Sequence, residues 1–321
     1  MRGVRIRDFT DDDVPAAGRL LAARQAAHRR AEPLLRPLDD AAAADAVRTA
    51  WARPDASGAV AERDGALVGY LVGAPKDATW GANVWVDAAG HAVAAGDEEV
   101  ARDLYAHAAA GWVQAGRTAH YALLPAGPSP LVDAWFRLAF GLQHVHAVRE
   151  PAPAPAPPAG LVVRPAEQRD VRALARLDLV LPAHQGRAPV FAAGPAPTFD
   201  EAVAEWESGV DDPDFPTWVA ATGDGDVVGA ATGCALARSS MHEGPALVPD
   251  AGFLGFAAVL LAARGLGAGR ALGEAVLGWS HEAGHAACVT DWRATNLLSS
   301  RAWPRLGFRD TFWRLHRLVG H

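Results

Sequence analysis

The chain has 321 residues, 50% of them hydrophobic and 21% charged, and a formal net charge of -7. Its length favours about two domains, and each half has enough apolar residues to bury a core. An acidic balance without a dense basic cluster argues against nucleic-acid binding, and Cys234 and Cys288 are isolated, each inside a predicted strand, which argues against a disulfide or metal framework. Without an apolar run of about 18 residues or a signal-peptide pattern, we expect a cytoplasmic protein that does not bind membranes.

The sequence pattern that predicts the first strand and the first helix is repeated in the second half of the chain. Residues 4–7 predict a short strand, and the acidic residues that follow predict the start of a helix. Residues 161–164 begin the same pattern again. Three pairs of identical residues are each 157 positions apart: Arg7 and Arg164, Asp13 and Asp170, Val14 and Val171.

Two further matches extend this repeat. Residues 59–71 and 218–230 each predict a hairpin with Asp-Gly at its tip. Residues 135–140 and 303–308 agree at four of six positions. Between the halves, residues 151–158 alternate Pro and Ala, which favours a semi-rigid extended spacer. We therefore predict domains at 1–150 and 161–321, joined by a linker at 151–160.

A glycine-rich turn follows the predicted strand at residues 254–260. The turn reads Arg264-Gly265-Leu266-Gly267-Ala268-Gly269, and helical apolar spacing begins at Leu272. Glycines let the backbone approach a ligand closely, and the helix directs its unpaired N–H groups and positive dipole end to the same place. The pattern predicts an anion site, most naturally for a pyrophosphate.

The spacing within this turn distinguishes between pyrophosphate ligands. It does not fit the dinucleotide pattern G-x-G-x-x-G, and the only lysine, Lys76, excludes a Walker A loop here. It does fit Arg/Gln-x-x-Gly-x-Gly/Ala through Arg264, Gly267 and Gly269. That pattern resembles the acetyl-CoA loop of the GNAT (GCN5-related) N-acetyltransferases.

The segment downstream strengthens the resemblance. A predicted strand at 286–290, a helix starting at Asn296, the Gly307-Phe308 pair and a strand at 311–319 follow in the order that GNAT proteins have. The resemblance implies an α/β fold (α+β, with a mixed sheet) that contains two tandem GNAT-like acyl-CoA N-acyltransferase domains.

The two halves differ at the glycine turn. The first half has residues 92–99 there, with one glycine, no Arg or Gln lead, and the three acids Asp97, Glu98 and Glu99. Carboxylates repel a pyrophosphate. We therefore expect a degenerate first half that serves as a scaffold, as half of a pseudo-dimer or as a wall of the acceptor site.

The resemblance also implies an activity: direct transfer of acetyl from acetyl-CoA to a primary amine, without an acyl-enzyme and without a metal. The backbone of Ala257, Ala258 and Val259 would pair with the pantetheine amides and polarise the thioester carbonyl. Asn296 would lie beside the pantetheine arm. The residues expected at the pyrophosphate are Arg264, Gly265, Leu266, Gly267, Ala268, Gly269 and Arg270.

The residues that move protons are less well defined by the sequence. Asp291 is a candidate base because it lies at the end of the predicted strand at 286–290, where strand ends commonly carry sites. Glu243 and His242, in the loop before the predicted strand at 254–260, are the other candidates. Trp303 stands where many GNAT enzymes have a tyrosine acid, and an indole N–H cannot deliver a proton near neutral pH. Water, Ser299 or Ser300 are the alternatives for the acid.

A literal H-E-x-x-H at residues 281–285 suggests a zinc site, but Gly284 predicts that the helix ends within it. We therefore predict a pair of helix-end histidines and no metal, and His144 and His146 as ordinary strand residues.

Two other functions stay open: a mycothiol synthase-like tandem acetyltransferase, and a non-catalytic acyl-CoA-binding or partner-binding protein. We expect a small-molecule acceptor, which the acidic balance favours as a cation. The chain could be a monomer or a homodimer.

Overall fold

The computed structural model describes residues 3–192, 194–239 and 242–320. Its strands are β1 (Arg5–Asp8), β2 (Ser57–Arg63), β3 (Ala66–Gly73), β4 (Asn83–Val86), β5 (His91–Val93), β6 (Ala119–Pro125), β7 (Gly141–Arg149), β8 (Leu161–Pro165), β9 (Thr217–Thr222), β10 (Val227–Ala235), β11 (Ala251–Val259), β12 (Ala287–Arg293) and β13 (Arg309–Leu318). Its helices are α1 (Val14–Ala31), α2 (Asp40–Trp51), α3 (Val100–Gln114), α4 (Pro130–Phe136), α5 (Val171–Asp178), α6 (Val180–Gln185), α7 (Phe199–Gly209), α8 (Ala268–Glu282) and α9 (Ser299–Arg305). Parallel and antiparallel strand pairs both occur, which confirms the predicted mixed α/β class. None of the helices described is long and apolar enough to cross a membrane.

The contacts group the chain into two compact units. Unit 1 contains Met1–Val145, Glu243–Leu247 and Asp310–His321. Unit 2 contains His146–His242 and Val248–Arg309. The units therefore differ from the sequence halves 1–150 and 161–321, because the last strand of the chain is grouped with the first half. The sequence boundaries remain a prediction about the repeat.

Unit 1 contains two groups of paired strands. β1, β2, β3 and β5 pair in that order, and β2 and β3 form the predicted hairpin, with positive φ at Asp64 and Gly65. β4, β6 and β13 also pair in that order. β13 lies antiparallel to β6 from Phe312↔Pro125 to Leu318↔Ala119. A last strand that completes the sheet of the first half explains why contact grouping and sequence repeat disagree.

Unit 2 contains the strands β12, β11, β10, β9 and β8, paired in that order. Gly229 of β10 faces Leu272 of α8, whereas its neighbour Ala230 belongs to a core cluster with Leu174 of α5. Successive residues of a strand point to opposite faces. α8 and α5 therefore cover opposite faces of this sheet.

The predicted linker has a structural contact of its own. Ala154 packs against α8 at Gly278, where an added Cβ would lie 2.8 Å from the Ala154 Cβ. Pro158 lies beside Gly267, at 3.0 Å from the position of a Cβ. The extended Pro/Ala segment therefore packs against the surface of α8.

The sequence repeat has the same local structure in both units. Arg7 donates two hydrogen bonds to Asp13 (2.7 and 2.7 Å), and Arg164 donates two to Asp170 (2.6 and 2.9 Å). Each aspartate also accepts the backbone N–H three residues before it, at 2.9 Å. Arginine thus ties the first strand of each repeat to the start of its first helix.

In the folded protein these ion pairs keep the pKa of both carboxyl groups below its ordinary value. The hydrogen bond from Arg7 is the largest cause for Asp13. Burial alone would raise the pKa of Asp170, but the hydrogen bonds from Arg164 and from the Glu167 backbone lower it overall. A carboxyl with a lowered folded pKa stabilises the protein above its unfolded pKa, about 4, and that contribution is lost as the pH falls.

We expect Asp13→Asn and Asp170→Asn each to lower the free energy of unfolding by about 2 kcal/mol near pH 7, because each replaces the buried carboxylate that accepts two hydrogen bonds from a forked arginine with a neutral amide. Urea denaturation at pH 7 and pH 3 measures this, and the difference from wild type should shrink at pH 3. Asp12→Asn is the matched control, since Asp12 is exposed in the same turn. Equal losses for Asp12→Asn and Asp13→Asn would contradict the assignment.

Candidate functional site

The strands β11 and β12 separate partway along their length. They pair in parallel from Ala251↔Ala287 to Leu254↔Thr290, and both continue beyond these residues. A bulge at Gly255 accompanies the separation. It is seen in the pairing with β10, where Thr232 pairs with Phe256 but the next residue, Gly233, pairs with Leu254. Bulges bend a strand and increase its twist. β11 therefore diverges from β12 and presents a free edge to the opening.

The direction of each backbone group along this edge follows from one hydrogen bond. Leu260 N–H donates to the Val228 carbonyl at 2.9 Å, so it points toward β10. Since N–H directions alternate along a strand, Ala258 also pairs toward β10, whereas Ala257 and Val259 point into the opening. Of the three residues predicted to contact pantetheine, Ala257 and Val259 thus have backbone groups in the right direction.

The glycine turn has the geometry that its sequence predicts. Gly265 and Gly267 have φ of 91° and 87°, a left-handed conformation that favours glycine. The bond from Ala271 N–H to the Gly267 carbonyl (3.0 Å) marks the first turn of α8. The N–H groups of the three residues before Ala271 are those that a helix start leaves without intrahelical acceptors. They form the positive end of the α8 dipole.

One cavity of about 410 Å³ joins the open edge of β11 to this helix start. Its volume is within the range of small-molecule sites. The predicted cofactor residues that line it are Ala257, Ala258, Val259, Arg264, Gly265, Gly267, Ala268, Gly269, Arg270 and Asn296. Leu266 differs: its side chain is 52% exposed, and it is not part of the lining. Cofactor contact by these residues remains a prediction.

The two arginines at the cavity differ in their neighbours. Arg270 forms an ion pair with Glu274 at 2.7 Å, one helical turn further along α8. Arg264 is exposed and has no ion pair within the described residues. Arg264 is therefore the side chain whose positive charge is available to an anion at the helix start.

Asn296 organises the wall opposite the glycine turn. It is buried, and its Oδ1 accepts the backbone N–H groups of Leu298 (3.2 Å) and Ser299 (3.4 Å). These bonds hold the turn that leads into α9, and α9 itself begins three residues later than predicted, at Ser299. The same Oδ1 lies 3.1 Å from Nε2 of His184. Because this oxygen is an acceptor, His184 carries a proton on Nε2 and donates it.

His184 lines the cavity from α6, with Val180 and Leu181. Sequence reasoning missed all three residues. The glycine pattern is local, whereas His184 precedes Asn296 by 112 positions. No spacing rule connects residues at that distance.

Two of the candidate bases touch each other. Nε2 of His242 lies 3.1 Å from Oδ2 of Asp291, and their side chains are 1% and 16% exposed. Asp291 directly follows Thr290, where the pairing of β11 and β12 ends. The His242 ring also contacts that of His146, with centroids 4.3 Å apart. Glu243 is exposed and belongs to unit 1.

The structure also distinguishes between the candidate acids. Trp303 is buried and lines the cavity, as does Ser299. Ser300 instead donates its hydroxyl to the Ala294 carbonyl at 2.9 Å. α9 is short and contains Pro304, which agrees with the predicted effect of that proline.

The H-E-x-x-H segment spans the end of a helix. α8 ends at Glu282, and Gly284 follows with φ of 77°. Gly284 N–H donates to His281 and His285 N–H donates to Ser280, each at 3.0 Å, which is the Schellman pattern of a helix end. The two histidines are thus not on one continuing helix, and within the described chain no group of three His, Cys, Asp or Glu side chains could hold a metal ion.

The corresponding turn in unit 1 connects β5 to α3. Asp97 accepts two hydrogen bonds from Arg63 (2.9 and 2.6 Å), and Glu98 accepts the N–H of Gly96 at 3.1 Å. Glu99 forms ion pairs with Arg102 and Arg137. The three acids therefore have partners within unit 1, and they occupy the turn that holds glycines in unit 2.

Comparison with known proteins agrees with this geometry. Residues 179–308 match the model of the acetyltransferase (GNAT) family. A GCN5-related N-acetyltransferase from Sphaerobacter thermophilus aligns with 98% of this chain and 95% of its own, at 20% identity and a TM-score of 0.57. A tandem GNAT protein from the clavulanic acid biosynthesis pathway aligns with 99% of both chains, at 19% identity and a TM-score of 0.48. No curated protein matches significantly. The predicted GNAT fold is confirmed.

We expect Asn296→Ala to lower the free energy of unfolding by about 2 kcal/mol, because two backbone N–H groups and His184 would lose a buried acceptor. Asn296→Asp keeps that acceptor and should retain most of the stability. Thermal denaturation of both variants measures the difference. A stable Asn296→Ala variant would show that the first turn of α9 is held by other contacts.

Proposed function

Because residues 179–308 match the model of the acetyltransferase (GNAT) family, whose members transfer an acyl group from an acyl-CoA to an amine, we propose that this protein transfers acetyl from acetyl-CoA to a primary amine. One observation carries the proposal. A single cavity joins the open backbone edge of β11 to the start of α8. A long ligand with amides at one end and a pyrophosphate at the other is complementary to both.

The pyrophosphate would bind at the α8 start, where the N–H groups of Ala268, Gly269 and Arg270 and the charge of Arg264 favour an anion. The pantetheine amides would pair with Ala257 and Val259 as an added strand. Asn296 would lie along the same arm. Main-chain groups provide most of these contacts.

The chemical step needs three contributions from the chain. The amine nitrogen attacks the thioester carbonyl carbon, so that a C–N bond forms and the C–S bond breaks. A backbone N–H of the open edge would stabilise the developing oxyanion. Asp291, held by His242, would take the proton that the ammonium releases, and Ser299 or water would supply one to the leaving thiolate.

Direct attack agrees with the state of the cysteines. Both Cys234 and Cys288 are buried. Burial raises the pKa of Cys234 and raises that of Cys288 to about 12. Since the thiolate is the nucleophile, neither is suited to form an acyl-enzyme at neutral pH.

The first half would bind no acetyl-CoA and would act as a scaffold. The turn between β5 and α3 supports this role, because Asp97 and Glu99 are held there in ion pairs.

A second candidate function, acyl-CoA binding without catalysis, is favoured by Trp303, which lines the cavity and cannot act as an acid. Turnover with any amine excludes that candidate.

Gly269→Asp tests the cofactor site. A Cβ at Gly269 would lie 3.6 Å from Cγ2 of Val259, an ordinary contact, so both Gly269→Asp and the matched Gly269→Asn should fold. Gly267 is less suitable, since it has positive φ and faces Pro158. We expect acetyl-CoA affinity at least about tenfold lower for Asp than for Asn, because a carboxylate opposes the pyrophosphate.

Isothermal titration calorimetry with acetyl-CoA measures this difference at low salt. A wild-type protein that does not bind acetyl-CoA would overturn the proposed function. Equal affinity of the Asp and Asn variants would place the pyrophosphate elsewhere.

Asp291→Asn tests the base. We expect kcat to fall about 100-fold, the usual scale of a general base, while acetyl-CoA affinity stays unchanged. His242→Gln should have a smaller effect in the same direction, because it only orients Asp291. Asp250→Asn is the control, since Asp250 is exposed and asparagine tolerates its positive φ. Release of the CoA thiol with the best amine of a panel measures kcat; full activity of Asp291→Asn would exclude this base.

A further inference from the structure

Unit 2 contains a second cavity, of about 380 Å³. Its floor is a row of side chains across three strands. Thr232 of β10 pairs with Thr217 of β9 on one side and with Phe256 of β11 on the other. The two threonine hydroxyls lie 2.9 Å apart. Phe256 belongs to the core cluster of α5, so the cavity is on the face opposite α8.

Residues that line the two cavities are neighbours in sequence at two points of the chain. Phe256 lines the second cavity, and its neighbour Ala257 lines the first. Asp178 at the end of α5 lines the second, and Val180 at the start of α6 lines the first. The lining of the second cavity therefore includes a direct neighbour in sequence of the open edge of β11, where the thioester would lie.

Aromatic side chains form part of the walls. Trp206 of α7 lies over Phe256, with ring centroids 6.4 Å apart. Phe215, in the loop before β9, is 39% exposed and extends the aromatic wall toward solvent. Aromatic faces attract ammonium groups and pack against the methylene groups between them.

Three carboxylates line the same cavity: Asp178, Glu205 and Asp212. Within the described residues none of them has an ion pair, whereas Asp214, in the same loop as Asp212, pairs with Arg238. Burial and the nearby charge of Glu205 raise the pKa of Asp178. Like charges placed together without a counter-charge favour a cation.

The spacing of these groups favours an organic cation over a metal ion. In the described part of the chain no three acidic, histidine or cysteine side chains are close enough to hold a metal ion. An extended molecule with several ammonium groups can reach separated carboxylates. The aromatic walls also suit its carbon segments.

We propose that the second cavity binds the acceptor, and that this acceptor is an amine with at least one further ammonium group and no carboxylate. The inference rests on the proposed acetyl transfer. The nitrogen that attacks must be neutral, so it cannot balance the three carboxylates. A second nitrogen that stays protonated offsets part of their negative charge, while the first reaches past Phe256 to the edge at Ala257.

Binding of spermidine tests the inference without requiring turnover. We expect calorimetry, with and without CoA, to give spermidine at least about tenfold higher affinity than hexylamine, which has a single ammonium. The double variant Asp178→Asn/Glu205→Gln should lower spermidine affinity about tenfold and leave hexylamine nearly unchanged. Glu207→Gln is the matched control: Glu207 lies on the same helix, exposed and outside the lining.

The outcomes separate this inference from the proposed function. Acetyl-CoA binding and amine acetylation, with equal affinity for spermidine and hexylamine or equal loss in the control variant, would overturn the acceptor assignment alone. Spermidine binding that depends on Asp178 and Glu205, without acetyl-CoA binding, would support the cation site and overturn the transferase. Preference for an amine that carries a carboxylate, such as glutamate, would also overturn the assignment.

Discussion

The separation of β11 from β12 after Leu254 and Thr290 is the constraint on which the site depends. Backbone groups left unpaired within a sheet are costly, so a strand edge inside a protein needs a partner. The bulge at Gly255 produces the divergence without loss of the pairing with β10. Two cavities then adjoin neighbouring residues of one strand, and a ligand with amide groups can complete the edge.

The part of the site that the sequence predicted consists of residues with a local conformational role. Gly265 and Gly267 were identifiable because positive φ selects glycine, and Asn296 because a helix start selects a capping side chain. His184 and Asp178 could not be found in this way. They come from helices far away in sequence, and their relation to the cavity depends on packing.

The limits of fold prediction have the same origin. Asp-Gly turns fix both hairpins, because their strands are adjacent in sequence. β13 buries Phe312 and Leu315, which point to opposite faces of the strand, so these apolar residues predict a buried strand but not its partner. Its pairing with β6 joins residues nearly 200 positions apart. The sequence boundary at residues 151–160 therefore describes the repeat, whereas the compact units depend on this distant pairing.

Comparison of the two repeats distinguishes the residues that maintain the fold from the residues that form the site. Both retain the arginine–aspartate pair that ties the first strand to the first helix, at nearly equal distances. Only the second has the glycines that expose a helix start. In the first, Arg63 holds Asp97 at the corresponding turn, so the turn is stable without a ligand. An anion site requires backbone groups that are left unsatisfied until the ligand binds, and the first repeat has filled that position with its own side chains.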